Sequence, residues 1–219
     1  MRFFKRVMFW LYRSELSRVG FDRLYREDGS EAAYSADRIL ALGDQRFEFP
    51  RSWPESLRFI GAKLYHPPSP NRVEPEFLPD KRHVLVTLGT HLHWHKDSVA
   101  RIVREIAERR PELVFHFSDG DMAASAMERL DNFQRLPYID YGRFLHRYDL
   151  VVHHGGAGIM YQCLQLDKPS IVYPIDYDQF DHAARIEYSG RGIWIRKLAE
   201  LEPALNSMTS GQQRPKSST

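Results

Sequence analysis

The stretch DLVVHHGGAGIMYQCLQLDKPSIVYPIDYDQ, residues 149–179, decides the fold. Leu150 to Val152 is an apolar strand that runs into His153-His154, and Gly155-Gly156-Ala157-Gly158 then opens a helix. Strand, glycine turn and helix start form a phosphate cradle. The first amides of a helix are unpaired and carry the positive end of its dipole, and glycine lets an anion approach them. From Pro169 a second buried strand ends at Pro174 and passes into a polar loop up to Gln179. Two strands ending side by side place a ligand crevice at the carboxyl edge of a parallel sheet.

The same rhythm extends upstream and downstream. His83 to Leu88 (HVLVTL) reads as a fully buried strand closed by Gly89-Thr90. Val99, Ile102, Val103, Ile106 and Ala107 then share one helical face, opposite Arg101, Arg104, Glu105 and Glu108. Leu113 to Phe117 is the next strand, and Asp121 to Leu130 reads as a helix. Phe133 to Leu136 is a short strand and Arg143 to Arg147 a short helix. Beyond the central stretch come a helix from Gln179 to Tyr188, Gly190 as a left-handed cap, and a strand at Ile193–Ile195. Alternating strands and helices predict an α/β fold with a doubly wound parallel sheet.

The first part of the chain is different. Residues 1–27 read as one or two amphipathic helices, residues 38–42 as a short strand, and residues 57–63 as an extended piece. Pro67, Pro68, Pro70, Pro75 and Pro79 exclude helix and central strand between Tyr65 and Arg82. The expected divisions are therefore a lead-in at 1–64, a proline-rich linker at 65–82, a ligand-binding domain at 83–208 and a polar, disordered tail at 209–219.

With 31 basic and 29 acidic residues the net charge is +2, which gives no case for a nucleic-acid partner. One cysteine, Cys163, rules out an internal disulfide and fits a reducing, cytoplasmic setting. MRFFKRVMFWLYR is too interrupted by charge to span a bilayer. A helix of this content either packs on protein, the commoner case, or makes peripheral contact with an anionic membrane.

The order VTLGT, HHGGAG, P-x-x-x-D-Q and A-R-I-E-Y-S-G-R-G resembles the C-terminal, nucleotide-sugar half of GT-B glycosyltransferases, in particular the UDP-glycosyltransferase and antibiotic-type family 1 enzymes. The likeness covers about residues 83–196, with a weaker lead-in at Phe47-Glu48-Phe49-Pro50-Arg51 and Ile60-Gly61. It implies a Rossmann-like donor domain and an inverting, metal-independent transfer of a hexose-type sugar from a UDP- or dTDP-type donor to an acceptor hydroxyl. The nucleotide sugar is a co-substrate, and no cofactor or metal is implied.

Residue by residue, the resemblance implies that His154 points its ring at the donor diphosphate and that the amides of Gly155, Gly156, Ala157 and Gly158 contact the same oxygens. Gly89 and Thr90 would face the donor from the opposite loop. Tyr138 and Ile139 would hold the base, partly through main-chain hydrogen bonds. Asp178 and Gln179 would read sugar hydroxyls, and Gln162 the ribose.

Three positions depart from the pattern. Ile159 stands where a hydroxyl side chain is usual, Gln162 where many relatives carry a carboxylate, and Asp167 replaces a glycine. Of the acceptor domain, which supplies the general base in this family, residues 1–64 would be a remnant, and no candidate base is found in an acceptor pocket: the only histidines before Val84 are His66, in the linker, and His83. An N-terminally truncated enzyme is the favoured reading. The alternatives are a non-catalytic sugar-nucleotide-binding subunit that needs an acceptor-domain partner, or an epimerase-like enzyme on the same fold.

The alternating His91, His93 and His95 would share one side of a strand as zinc ligands, but only Asp97 is at hand to complete the set. A polar loop that brushes the donor is the favoured reading. His153 reads as a strand-end residue, and Cys163 as a small buried side chain.

Overall fold

The computed structural model describes residues 2–27, 29–35, 37–64, 74–90, 92–122 and 127–209. The chain forms two compact units, one of residues 1–45 and 50–62, the other of residues 46–49 and 63–219. Arg46–Phe49 belongs to the second unit, although the chain on both sides of it belongs to the first.

The first unit contains α1 (Arg2–Leu11), α2 (Arg13–Arg18) and two short parallel strands, β1 (Ile39–Ala41) and β2 (Leu57–Phe59). Phe9 meets Phe21 edge to face, and Lys5 pairs with Glu31 at 2.5 Å. The other face of α1 presents Phe3, Phe4, Val7, Trp10 and Leu11 as exposed side chains. Among the described residues no helix is long and apolar enough to cross a membrane.

The second unit is a seven-stranded sheet among the described residues, in the order β5-β6-β4-β3-β7-β8-β9. The strands are β3 (Arg82–Thr87), β4 (Leu113–Ser118), β5 (Glu128–Leu130), β6 (Phe133–Leu136), β7 (Leu150–His153), β8 (Ser170–Val172) and β9 (Gly192–Trp194). All pairings are parallel except β5 with β6. The helices are α3 (His93–Arg109), α4 (Tyr141–Phe144), α5 (Ala157–Gln165), α6 (Gln179–Tyr188) and α7 (Leu201–Thr209).

Alternation along β3 shows why the sheet is covered on both faces. Val84 and Val86 point into one core with Val103 and Ile106 of α3 and Leu205 of α7. Leu85 points into the other with Ile139, Leu145, Ile159 and Cys163. A strand buried on both sides must read as a continuous apolar run, as HVLVTL does. The doubly wound parallel sheet expected from the sequence is observed.

Four local expectations change. The helix expected over 121–130 is not formed in its described end, because Glu128–Leu130 pairs antiparallel with β6 across the turn at Asp131-Asn132. Asn132 fixes that turn by donating its amide to the carbonyls of Ala107, Arg110 and Leu113 at 2.8–3.0 Å; residues 123–126 lie outside the described residues. The helix expected from Val99 begins at His93. His93 and His95 are therefore helical, and the strand that the zinc reading needs is absent there; His91 lies outside the described residues.

The end of the proline-rich segment is also structured. Pro75 is buried, the Glu76 amide donates to Gln134 at 3.1 Å, and Phe77 packs in the second core. Residues 65–73, and the expected tail at 210–219, lie outside the described residues. Gly190 has a φ of +67°, and Arg191 N–H closes α6 onto the Ile186 carbonyl at 3.0 Å, as expected of its cap.

Candidate functional site

The sheet order creates the site. From β3 the chain steps outward to β4 and β6, then returns across β3 to β7, β8 and β9. The carboxyl ends of β3 and β7 therefore flank the point where the winding reverses, which is where a doubly wound sheet leaves an open crevice. Gly89 follows β3 and His153 ends β7, with Thr87 in register with His153.

Glycines let these loops close on one another. Gly89 has a φ of +72°, and a Cβ built on it would stand 2.8 Å from Cε1 of His154. The same ring lies against Gly156, where a Cβ would stand 2.4 Å from its Nε2. Gly120, after β4, has a φ of +66°, and a Cβ there would come 2.5 Å from the Gly89 carbonyl oxygen. The His154 imidazole is thus packed against two glycine backbones, with 5% of the residue exposed.

The helix after the turn starts bare. Gly156 is the N-cap of α5, no side chain caps it, and its first turn carries no acidic residue. Ala157 and Gly158 are exposed, and a Cβ on Gly158 would meet nothing within 4 Å. Their amides have no intrahelical partner and face outward at the positive end of the dipole. Gly155 differs: its N–H donates to Nδ1 of His153 at 3.0 Å, so that amide is not offered to a ligand. Ile159 is buried in the second core, turned inward rather than toward the crevice.

Thr90 is exposed beside Gly89. Tyr138 is half-buried, stacked with Tyr141 at 6.5 Å, and burial raises its pKa, with Asp140 adding to the shift. Ile139 is buried in the core, which leaves only its main chain for a ligand. Gln162 is half-buried on α5. Asp178 is exposed at the start of α6, with 68% of its side chain accessible.

Gln179 is 2% exposed, and its Oε1 accepts from the amides of Ile175 and Asp176 at 2.9 and 3.0 Å. That oxygen holds the loop between β8 and α6. Next to it Tyr177 takes a φ of +50°.

Several supporting residues carry no sequence signal. Lys96 is buried on α3 and donates to the Asp119 carbonyl, which secures the loop before Gly120; burial lowers its pKa, opposed by Asp119 and Asp121. Arg135 grips the Asp119 carboxylate and reaches Asp97 at 2.7 Å. Thr87 accepts from Tyr141 Oη at 2.7 Å and from the Gly89 amide at 3.2 Å, and burial pushes the Tyr141 phenol up to about 12. His182 of α6 donates from Nδ1 to the Gly155 carbonyl at 2.6 Å. Burial, then the His154 and His182 rings, push His153 down to about 3, so it is neutral and can accept the Gly155 N–H.

Residues 83–218 match the glycosyltransferase family 28 C-terminal domain. The chain belongs to this family. Among similar proteins, the zeaxanthin glucosyltransferase of Pseudescherichia vulneris is 28% identical over 159 residues, which cover 71% of this chain and 38% of that one. The O-mycaminosyltylonolide 6-deoxyallosyltransferase of Streptomyces fradiae is 29% identical over 158 residues, covering 69% and 36%.

Among solved structures, the glycosyltransferase of kitacinnamycin superposes with a TM-score of 0.73 at 20% identity, covering 94% of this chain and 54% of the other. Spinosyn rhamnosyltransferase SpnG, complexed with thymidine diphosphate, gives 0.61 at 17%, covering 81% and 50%. These structures share the GT-B glycosyltransferase C-terminal fold. The chain spans less than two thirds of each of these four relatives.

Proposed function

We propose that the second unit binds the nucleoside diphosphate of a sugar donor and acts as the donor half of an inverting, metal-independent glycosyltransferase that moves a hexose-type sugar to an acceptor hydroxyl. The observation that carries this reading is the uncapped start of α5 at the point where the sheet winding reverses, with the His154 ring packed against Gly89 and Gly156. A departing diphosphate gathers negative charge. Fixed amides and an imidazole in a desolvated crevice stabilise that charge without reorganising.

The amides of Gly156, Ala157 and Gly158 would hold the diphosphate, with Gly89 and Thr90 opposite. Tyr138 and the main chain of Ile139 would meet the base, and Gln162 the ribose. Asp178, exposed at the head of α6, would accept from sugar hydroxyls, while Gln179 keeps its loop in place. In calorimetry with UDP and dTDP, His154→Ala should weaken binding by about tenfold, the scale of one charge-assisted hydrogen bond. Unchanged affinity removes the role of His154, and EDTA should change nothing.

A second reading keeps the same site in a sugar-nucleotide-binding subunit that turns over only with a partner chain. Transferase activity that appears only on mixing with an acceptor-domain protein supports it, and hydrolysis or transfer by this chain alone refutes it.

A further inference from the structure

The geometry points to His182 as the positioning residue of the glycine turn: from α6 it holds the Gly155 carbonyl and so sets which way the Gly155–Gly156 peptide faces. The inference rests on the diphosphate reading of that turn. A trans peptide is one rigid plane in which the carbonyl and the following N–H point in opposite directions. With the Gly155 oxygen held by His182 at 2.6 Å, the Gly156 N–H must point away from α6. Flipping the plane would present a carbonyl in place of that amide.

Nothing else in the turn opposes such a flip strongly. Both flanking residues are glycine, which visits either sign of φ at little cost. Gly155 already stands at a φ of +93°. Its own N–H is tied back to His153 at 3.0 Å, but that bond lies on the preceding peptide plane and leaves the next one free to turn. Space enforces glycine here, since a Cβ would come 2.9 Å from the Gln179 carbonyl oxygen. The turn therefore keeps the flexibility of glycine because it must, and His182 removes it.

The two rings are locked in opposite tautomers. A carbonyl only accepts, so His182 carries its proton on Nδ1, whereas His153 accepts at Nδ1 and carries its proton on Nε2. The remaining nitrogen of His182, Nε2, lies 3.9 Å from Oδ2 of Asp178. One imidazole thus stands between the turn proposed for the diphosphate and the carboxylate proposed for the sugar.

Calorimetry with UDP and dTDP, chemical-shift titration with uridine and thymidine, and 15N NMR of the ring nitrogens test the inference on the full chain. His182→Ala should weaken the diphosphates at least tenfold and leave the nucleosides within twofold. His182→Asn keeps an N–H donor at the δ position and should restore diphosphate binding to within about threefold of wild type. Equal losses for nucleosides and diphosphates, an Asn variant as weak as Ala, or an unaffected Ala variant each overturn it. If the wild-type chain binds neither diphosphate, the functional reading fails by itself. The clamp then stands or falls on the tautomers: Nδ1–H at His182 with Nε2–H at His153 supports it, and the reverse pair overturns it.

Discussion

The His154 imidazole lies directly against the α-carbon of Gly89, so that a methyl group added there would stand 2.8 Å from ring atom Cε1. Two loops that follow strands far apart in the chain thus share one contact. Gly89 is also held at a φ of +72°, a conformation other residues adopt only under strain.

Gly89→Ala should accordingly cost about 1–3 kcal/mol of stability by urea unfolding, from backbone strain together with displacement of the ring. The displaced imidazole should also reduce nucleoside diphosphate affinity by at least tenfold at a temperature where the variant is folded. Wild-type affinity in a folded Gly89→Ala chain would show that the ring position does not matter for binding.

Gly158 gives a prediction in which stability and binding part ways. Its side-chain direction is open, and it lies in the first turn of α5. An aspartate there meets the positive helix end and should stabilise the fold by about 0.3–1 kcal/mol, and removing the backbone freedom of a helical glycine adds to this. The same carboxylate would occupy and repel the anion site, so UDP and dTDP binding should vanish. Gly158→Asp that melts higher yet binds normally would move the anion site elsewhere.

Acid should destabilise the fold earlier than carboxylate titration alone would. His116 donates from Nε2 to the Glu76 carbonyl and accepts from the Tyr148 hydroxyl at Nδ1; burial, then the charge on His83, push it down to about 3. His153 is likewise down to about 3, chiefly by burial. Unfolding releases both rings to values near 6.5. Between 6.5 and about 3 the unfolded chain binds more protons, so stability is full above 6.5 and falls as pH falls, by about 1.4 kcal/mol per pH unit for each ring. Urea midpoints from pH 8 to pH 4 check this, and a flat profile between pH 6.5 and pH 5 contradicts the buried neutral rings.

Cys163 is 2% exposed on α5, and burial pushes its thiol up to about 12. With almost no thiolate and no access, it should resist a disulfide reagent at pH 8 in the native chain and react stoichiometrically in urea. Rapid native labelling would show that α5 does not pack as described.

Much of this could be read from the sequence because the signals are local. HVLVTL carries its strand and LVVHHGGAG its strand, turn and helix start within a few residues, and the alternation of strands with helices implies a parallel sheet, whereas the order of its strands is seen only in the structure. The contact of the His154 ring with Gly89 could not be read there, since the sequence pattern implied only that both residues face the donor. Other features rest on partners distant in the chain. His182 lies on the buried face of an ordinary amphipathic helix and reads as core until its 2.6 Å bond to Gly155 is seen.

Lys96 and Arg135 look like surface charges and instead secure the Asp119 loop. The segment at 121–130 has helix-forming composition, yet Asn132, with three carbonyls to satisfy, turns its end into a hairpin. The Gln179 side chain matched a pattern, and only its two bonds to the loop amides reveal that its oxygen is already engaged.

Residues 46–49 belong to the second unit although the chain on both sides of them belongs to the first. Phe47 meets Tyr161, Phe49 meets Tyr188, and Glu48 pairs with Arg185 at 2.5 Å. The polypeptide therefore enters the donor unit, leaves it and enters again, so the two units are interleaved in sequence and no single cut parts them. A donor half excised at the proline-rich segment would lack the strap over α5 and α6, and a chimaera spliced there would set foreign residues against Tyr161, Tyr188 and Arg185. Modular exchange of this unit has to carry Phe47, Glu48 and Phe49 along with it.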